Sequence, residues 1–439
     1  MHQRHQWWSV LVAAVLGGLV GVTAVAAAGE QFLPVLSVRE GAGRITMIPR
    51  TNGHIDYLTL LNERDGGING VPLVWEECET VYDVDRGLEC YERLKAKGPT
   101  GAAAVHPTGT PLAYALIERA TQDKIPLISM GYGRTDASDG RVFPYVFTVP
   151  SNWWSQNTAK IRFIGQRVGG MEQLKGLKIV HVYHDSDFGR ETLPILDTQA
   201  AQYGFTVQHL AVKPPGLDQK ATWLRVQVAQ PDWVILSSTG VMTQTALKEA
   251  AQAGVPRDKI VGIWATCGEQ DIVPAGEAAI GYICATFHAT GRNFPLIQEI
   301  LKYVYARGKG AGPEGDIGTT QWIHGMLRGL LTAEALRTAM REFGNQPLTG
   351  AQVQWGFEHL TLTPAYLKEL GAEGLFPPIT LSCRDHEGGG GVKFLQWDGK
   401  QWAVLTDWIP ADQALVRPLV EASAAKYAQE KGITPRDCP

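Results

Sequence analysis

The run Asn62-Glu63-Arg64-Asp65-Gly66-Gly67-Ile68-Asn69-Gly70 constrains the fold most sharply. It follows apolar residues at helical spacing, Ile55, Leu58 and Leu61, and precedes an extended apolar run, Val71 to Trp75. Gly66 or Gly67 can stop the helix in a left-handed cap, where a side chain would clash with the backbone. Asn69-Gly70 then makes the tight turn that starts the next strand. With the short apolar strand Leu33 to Val38 upstream, this is a first β-α-β unit, which places the chain among α/β folds.

The same rhythm continues. Val84, Leu88, Tyr91 and Leu94 mark a helix, Ala102 to Val105 a buried strand, Pro111 to Thr121 a helix and Ile125 to Ser129 a strand. A second series starts near Pro150. Ile161, Ile164 and Val168 share a helix face, and Leu193, Leu196, Ala200 and Tyr203 share another. Ile179 to Tyr183, Phe205 to Leu210, Trp233 to Ser237, Ile260 to Trp264 and Tyr282 to Thr286 read as strands. Helical stretches cover Phe294 to Ala306 and Ile317 to Phe343. A hairpin follows, Val392 to Trp397 and Gln401 to Trp408 around Asp398-Gly399. Gly308 to Gly315 reads as a surface loop and Gly388 to Gly391 as a flexible connection, since it lacks the Lys and Ser/Thr of a phosphate loop. A chain of 439 residues in this pattern is too long for one ordinary core and suits two parallel-sheet domains.

Arg4, with His2 and His5, precedes an apolar stretch from Trp7 to about Val25, and Ala24-Val25-Ala26 fits a small-residue cleavage site. Residues 1–26 therefore read as a secretory signal peptide, with an uncleaved anchor as the alternative. No Cys follows the apolar run, which argues against a lipoprotein, and no later stretch is long and apolar enough to span a bilayer. The chain is expected in the periplasm or another extracytoplasmic space. An even set of cysteines there favours disulfides. Cys78 and Cys90 flank a short polar loop, Cys267 and Cys284 lie beside neighbouring strands, and Cys383 with Cys438 is the remaining pair. A net charge of −4 leaves no basic footprint for nucleic acid.

The order and spacing of several segments resemble the periplasmic solute-binding proteins of ABC importers, in the type I, branched-chain amino-acid-binding group. They are Asn62 to Gly70, Pro107-Thr108-Gly109, Ile125-Pro126-Leu127-Ile128-Ser129, His184-Asp185-Ser186-Asp187-Phe188-Gly189, Pro231-Asp232-Trp233-Val234 and Ala250 to Gly254. The likeness covers nearly all of the mature chain. It implies two doubly wound parallel-sheet lobes joined by a three-segment hinge, with residues 33–146 and 287–378 in the first lobe and 147–286 and 379–439 in the second. It also implies a small carboxylate ligand held between the lobes of a monomer, and a membrane permease and ATPase as partners.

In open parallel sheets ligands sit beyond the carboxyl ends of the strands. The candidates there are His106, Thr108 and Gly109 after the third strand, where a helix start offers N–H groups to a carboxylate. The resemblance favours Thr108, although Thr108 or Thr110 capping the helix is the alternative. Gly131 and Tyr132 follow the next strand, and Phe188, Thr239 and Trp264 belong to the second lobe. In amino-acid binders a Thr is usual at about Gly133 and an acidic residue near Trp264 pairs with the ligand ammonium; both are missing here. The expected ligand is a branched-chain or other hydrophobic amino acid, or an aromatic acid, with the departure at Trp264 favouring an apolar or aromatic body without an amine. Glu269 or Asp385 would have to reach in to hold an amino group. Trp153 and Trp154 are expected to pack rather than to stack on a ligand, and Asp385 and His386 to line the hinge or cleft.

No catalytic residue, cofactor or metal site is expected. The chain has no G-x-S-x-G elbow, no G-x-G-x-x-G after Leu33 to Val38, no C-x-x-C and no convergent acid/base pair. A binder rather than an enzyme is the expectation. A ligand sensor of the same fold and, behind it, an extracytoplasmic α/β enzyme are the alternatives.

Overall fold

The computed structural model describes residues 29–41 and 43–438, so the signal-peptide reading of 1–26 lies outside the described residues. Helix Arg44–Asp65 stops at Gly66, whose φ is +69° and whose N–H reaches the Asn62 carbonyl at 3.1 Å. At Gly67, φ +103°, a Cβ would lie 2.1 Å from the Val71 carbonyl oxygen, so glycine is required there. The Asn62 side chain then fixes the new strand, donating to the Leu73 carbonyl at 2.7 Å and accepting from the Leu73 N–H at 2.9 Å.

In the first lobe Gln31–Ser37 pairs in parallel with Leu73–Glu79, from Gln31 opposite Leu73 to Ser37 opposite Glu79. Residues 102–105 lie alongside, with the Ala103 N–H donating to the Phe32 carbonyl, but they form one bridge, Val105 to Leu127, in place of the expected strand. Three successive alanines offer little cross-strand surface to hold a full ladder. Leu127–Ile128 pairs in parallel with Val146–Phe147.

The second lobe is built on a seven-stranded sheet. Its spatial order is Trp402–Val404, Lys393–Trp397, Ile283–Thr286, Ile260–Gly262, Trp233–Ser237, Lys178–His184 and Thr206–Val212. The five strands from Ile283–Thr286 onward are parallel, and the hairpin is added antiparallel at the edge. The ladder stops at Gly262, short of the expected Trp264, because the Thr266 hydroxyl takes the Ile263 N–H at 3.1 Å and Trp264–Thr266 close a single turn. That turn swings Trp264 out of the sheet and toward the other lobe.

The chain crosses between lobes near residues 148–152, 287–294 and 381–392. The first and third crossings are knitted together. The Thr148 N–H donates to the His386 carbonyl at 3.0 Å, the Gly390 N–H to Pro150 at 3.1 Å, and the Asn152 N–H to the Glu387 carboxylate at 2.8 Å. The terminal helix, Gln413–Lys431, contacts residues of both lobes. The turn entering it takes hydrogen bonds from Arg162, while further along Tyr427 stacks on Phe143 at 4.8 Å and Ser423 reaches Asp136 at 2.8 Å. The disulfides are Cys78–Cys90, Cys267–Cys284 and Cys383–Cys438, the last tying the tail down beyond that helix. No helix among the described residues is long and apolar enough to cross a membrane.

Helices Arg44–Asp65 and Thr320–Phe343 cross at close range. A Cβ on Gly53 would lie 2.0 Å from the Trp322 carbonyl oxygen, and one on Gly325 would lie 1.8 Å from that of Arg50. This approach brings Arg50 and His54 against Gln321, His324 and Arg328, directly behind the cleft.

Candidate functional site

A cavity with about 380 Å³ of empty space, partly open to solvent, lies between the lobes. Thr108, Gly109, Tyr132, Phe188, Thr239 and Trp264 line it, as do Met47, Arg50, Tyr82, Thr110, Trp153 and Ala265. Two candidates are not on its wall. His106 is buried behind it with Nε2 on the Thr332 hydroxyl at 2.9 Å, and burial, with His54 and Arg328 nearby, keeps it neutral well below the usual imidazole range. Gly131 acts as a strut: its carbonyl accepts from Trp264 Nε1 at 2.8 Å and from Gln156 at 3.2 Å.

The first-lobe wall is the start of helix Thr110–Asp123. No side chain caps it, so the capping alternative for Thr108 and Thr110 does not hold. The Thr108 hydroxyl is within 3.2 Å of the Thr80 hydroxyl, and the Thr110 hydroxyl accepts from the Gly133 N–H at 3.2 Å. The helix start, with Gly109 and Thr110 on the cavity wall, thus brings the positive dipole end to the cavity without a side-chain cap.

The second-lobe wall is aromatic. Trp264 lies 6.3 Å from Trp153, nearly parallel to it, and 6.3 Å from Tyr132, while Phe188 packs 5.2 Å from Trp153. Trp153 thus faces the cleft, where packing alone was expected, and Trp154 is turned away to donate to the Glu191 carbonyl at 2.8 Å.

Arg50 is the residue that reading the sequence missed. It is only 3% exposed, its guanidinium carbon sits 4.9 Å from the centre of the Trp264 ring, and its Nε donates to the Gln321 side-chain oxygen at 3.2 Å. Among the described residues it has no carboxylate within ion-pair distance. Burial, then the charge of Arg328, lowers its pKa to about 9, while Tyr132, Tyr82 and Asp271 oppose the shift. Arg328 is also buried, and its closest polar partner is the Tyr132 hydroxyl, to which it donates at 3.4 Å. Arg50 and His54 are spaced i, i+4, as are His324 and Arg328. Such paired basic residues on otherwise buried helices were the available signal.

Neither carboxylate that could have met an amine reaches the cavity. Glu269 accepts from the Thr320 N–H at 2.9 Å and hydroxyl at 3.2 Å. Asp385 sits in a turn with Ser382, at 3.1 Å from its N–H to the Ser382 hydroxyl. His386 is buried at the hinge, on the Val146 carbonyl at 2.7 Å and Glu358 at 3.0 Å. No group of three or more metal-ligating side chains occurs among the described residues.

Two α/β lobes, knitted crossings and a cleft at the strand ends define a hinged solute-binding protein. The periplasmic binding protein family matches residues 30–403, and the chain belongs to that family. Membership places it outside the cytoplasm, among the substrate-binding components that serve ABC transporters. A structure described as an ABC transporter permease from the Pseudomonas fluorescens group is 44% identical, with a TM-score of 0.90 over 93% of this chain and 99% of that one. A branched-chain amino acid ABC transporter protein from Thermus thermophilus with bound valine is 22% identical, with a TM-score of 0.71 over 89% and 99%. A solute-binding protein from R. palustris in complex with benzoate is 16% identical, with a TM-score of 0.66 over 87% and 97%. The last two share the fold. No match was found among curated proteins.

Proposed function

We propose that this chain is the solute-binding component of an ABC importer. It captures a small carboxylate with an apolar or aromatic body between its lobes and delivers it unchanged, as a monomer, to a permease driven by an ATPase. The observation that carries this reading is Arg50: a buried guanidinium on the cavity wall, laid on Trp264, with no carboxylate in ion-pair contact. An unpaired buried charge is costly, and an anionic guest removes that cost. The uncapped start of helix Thr110–Asp123, with Thr108 and Gly109, adds a second attraction for negative charge. Tyr132, Trp153, Phe188 and Trp264 suit a flat apolar body, and Thr239 offers a hydroxyl from the second lobe. His106 and Gly131 hold the wall from behind.

An ammonium group finds nothing comparable. No carboxylate lines the cavity, and a guanidinium occupies the place beside Trp264 where an amino-acid binder needs an acid. Of the guests named for the two structural neighbours, benzoate matches this chemistry better than valine. Native mass spectrometry of the protein purified from its own source identifies what it carries. An organic acid lacking an amine is expected; a bound α-amino acid would refute the reading.

A further inference from the structure

Three carboxylates of the second lobe cross the seam to the first lobe, on both sides of the cavity. On one side Glu191, just after helix Asp187–Arg190, accepts from the Tyr114 hydroxyl, from the Thr135 N–H at 3.2 Å and from the Thr135 hydroxyl at 2.7 Å. On the other, helix Glu269–Ile272 sends Glu269 to the N–H and hydroxyl of Thr320, and Asp271 to the Thr46 hydroxyl at 3.1 Å. In each case the acceptor belongs to the second lobe and the donors, all uncharged, to the first. Both contacts are continuous with the ligand wall. Phe188 lies three residues before Glu191, and Asp271 also accepts from the N–H of Gly240, next to Thr239, at 3.0 Å.

We propose that these carboxylates couple lobe closure to proton uptake, so that acid favours the closed, ligand-holding form. Opening the hinge hydrates Glu191, Glu269 and Asp271 and returns them to ordinary carboxylate behaviour. Closure desolvates them against neutral donors that only partly replace water. Burial holds Glu191 above the usual carboxylate range, lifts Glu269 to about 7 and Asp271 to about 6. The charged and titratable groups around Glu191 are Tyr114 and the Arg134–Asp136 pair on the first lobe and Asp187 and Arg190 on its own element. Arg50 acts on Asp271 and the Asp271 charge acts on Glu269, with Tyr282 near Asp271. Groups that bind protons more tightly in the closed form shift the balance toward closure as pH falls from about 7 to the ordinary carboxylate range near 4. The buried histidines behind Trp264 have the opposite sign, because acid that charged them would strain the closed core.

Small-angle scattering of the ligand-free full chain at pH 5 and pH 8 tests this without reference to the ligand. A smaller radius of gyration at pH 5 is expected. Glu191→Gln together with Glu269→Gln, which keep the shape but remove two of the three charges, should narrow the difference between the two pH values, leaving only the part that Asp271 contributes. A wild-type radius that is unchanged or larger at pH 5 overturns the proposal, as does a double variant that keeps the full pH response. Neither outcome touches the assignment of the ligand, which binding measurements decide separately.

Discussion

Arg50 is the buried charge on the cleft wall and has a clear chemical use. Its hydrogen bonds to Gln321 and its place over Trp264 hold it rigid, so little ordering remains when a carboxylate arrives. A hydrogen bond to a charged group contributes about 1.5–3 kcal/mol. Arg50→Gln is therefore expected to weaken benzoate binding by about 10–100-fold in titration calorimetry without lowering the melting temperature of the ligand-free protein, since a buried charge is removed; unchanged affinity would remove Arg50 from the site. Lys160 is a contrasting case. It is 1% exposed, its ammonium nitrogen has no partner among the described residues, and burial lowers its pKa to about 7. The unfolded chain holds this proton up to about pH 10. Between about pH 7 and 10 the unfolded state thus binds more protons, and stability rises with pH; below 7 both states are protonated and the full penalty remains. Lys160→Met should raise the melting temperature at pH 7 and flatten the rise toward pH 10. A lower melting temperature at pH 7 would show that the amine is satisfied in a way these contacts do not include.

Among the elements, the crossing of helices Arg44–Asp65 and Thr320–Phe343 places the basic residues behind the cleft, and glycines set its spacing. A methyl group at Gly325 would sit 1.8 Å from the Arg50 carbonyl oxygen, so the helices would have to part. Gly325→Ala is expected to destabilise the protein by about 1–3 kcal/mol in urea unfolding, and to loosen ligand binding because Arg50 moves with its helix. Local patterns told most of the elements. Trp233–Ser237 matches the apolar run read from sequence, and Gly66, Gly67 and Asn69-Gly70 end one element and begin the next. Two exceptions have local causes, alanines too small to hold a ladder at 102–104 and a hydroxyl that interrupts one at Ile263, while the second hairpin strand, expected over Gln401 to Trp408, is confined to Trp402–Val404. The strand-end loops that carry Thr108, Tyr132, Phe188, Thr239 and Trp264 could be found because parallel sheets bind ligands at those ends and the family resemblance sets the two sheets around one cleft. Arg50, Met47 and Tyr82 could not, because their positions depend on how a helix and a loop of the first lobe lean over the strand ends.

For the whole molecule, the terminal helix is the feature that the alternating pattern did not announce. Gln413–Lys431 crosses from the second lobe to the first, and Cys438 anchors its tail to Cys383. Cutting that tether with Cys383→Ser and Cys438→Ser together should raise hydrogen exchange along 413–431 while leaving the seven-stranded sheet protected; equal protection in both proteins would show that packing on Phe143 suffices. The central proposal for the whole molecule is that the cavity receives a carboxylate without an amine. Titration calorimetry of the wild-type protein with benzoate and with leucine addresses it most directly. Saturable binding of benzoate with leucine at least tenfold weaker is the predicted result, and tight leucine binding with no response to benzoate would contradict it.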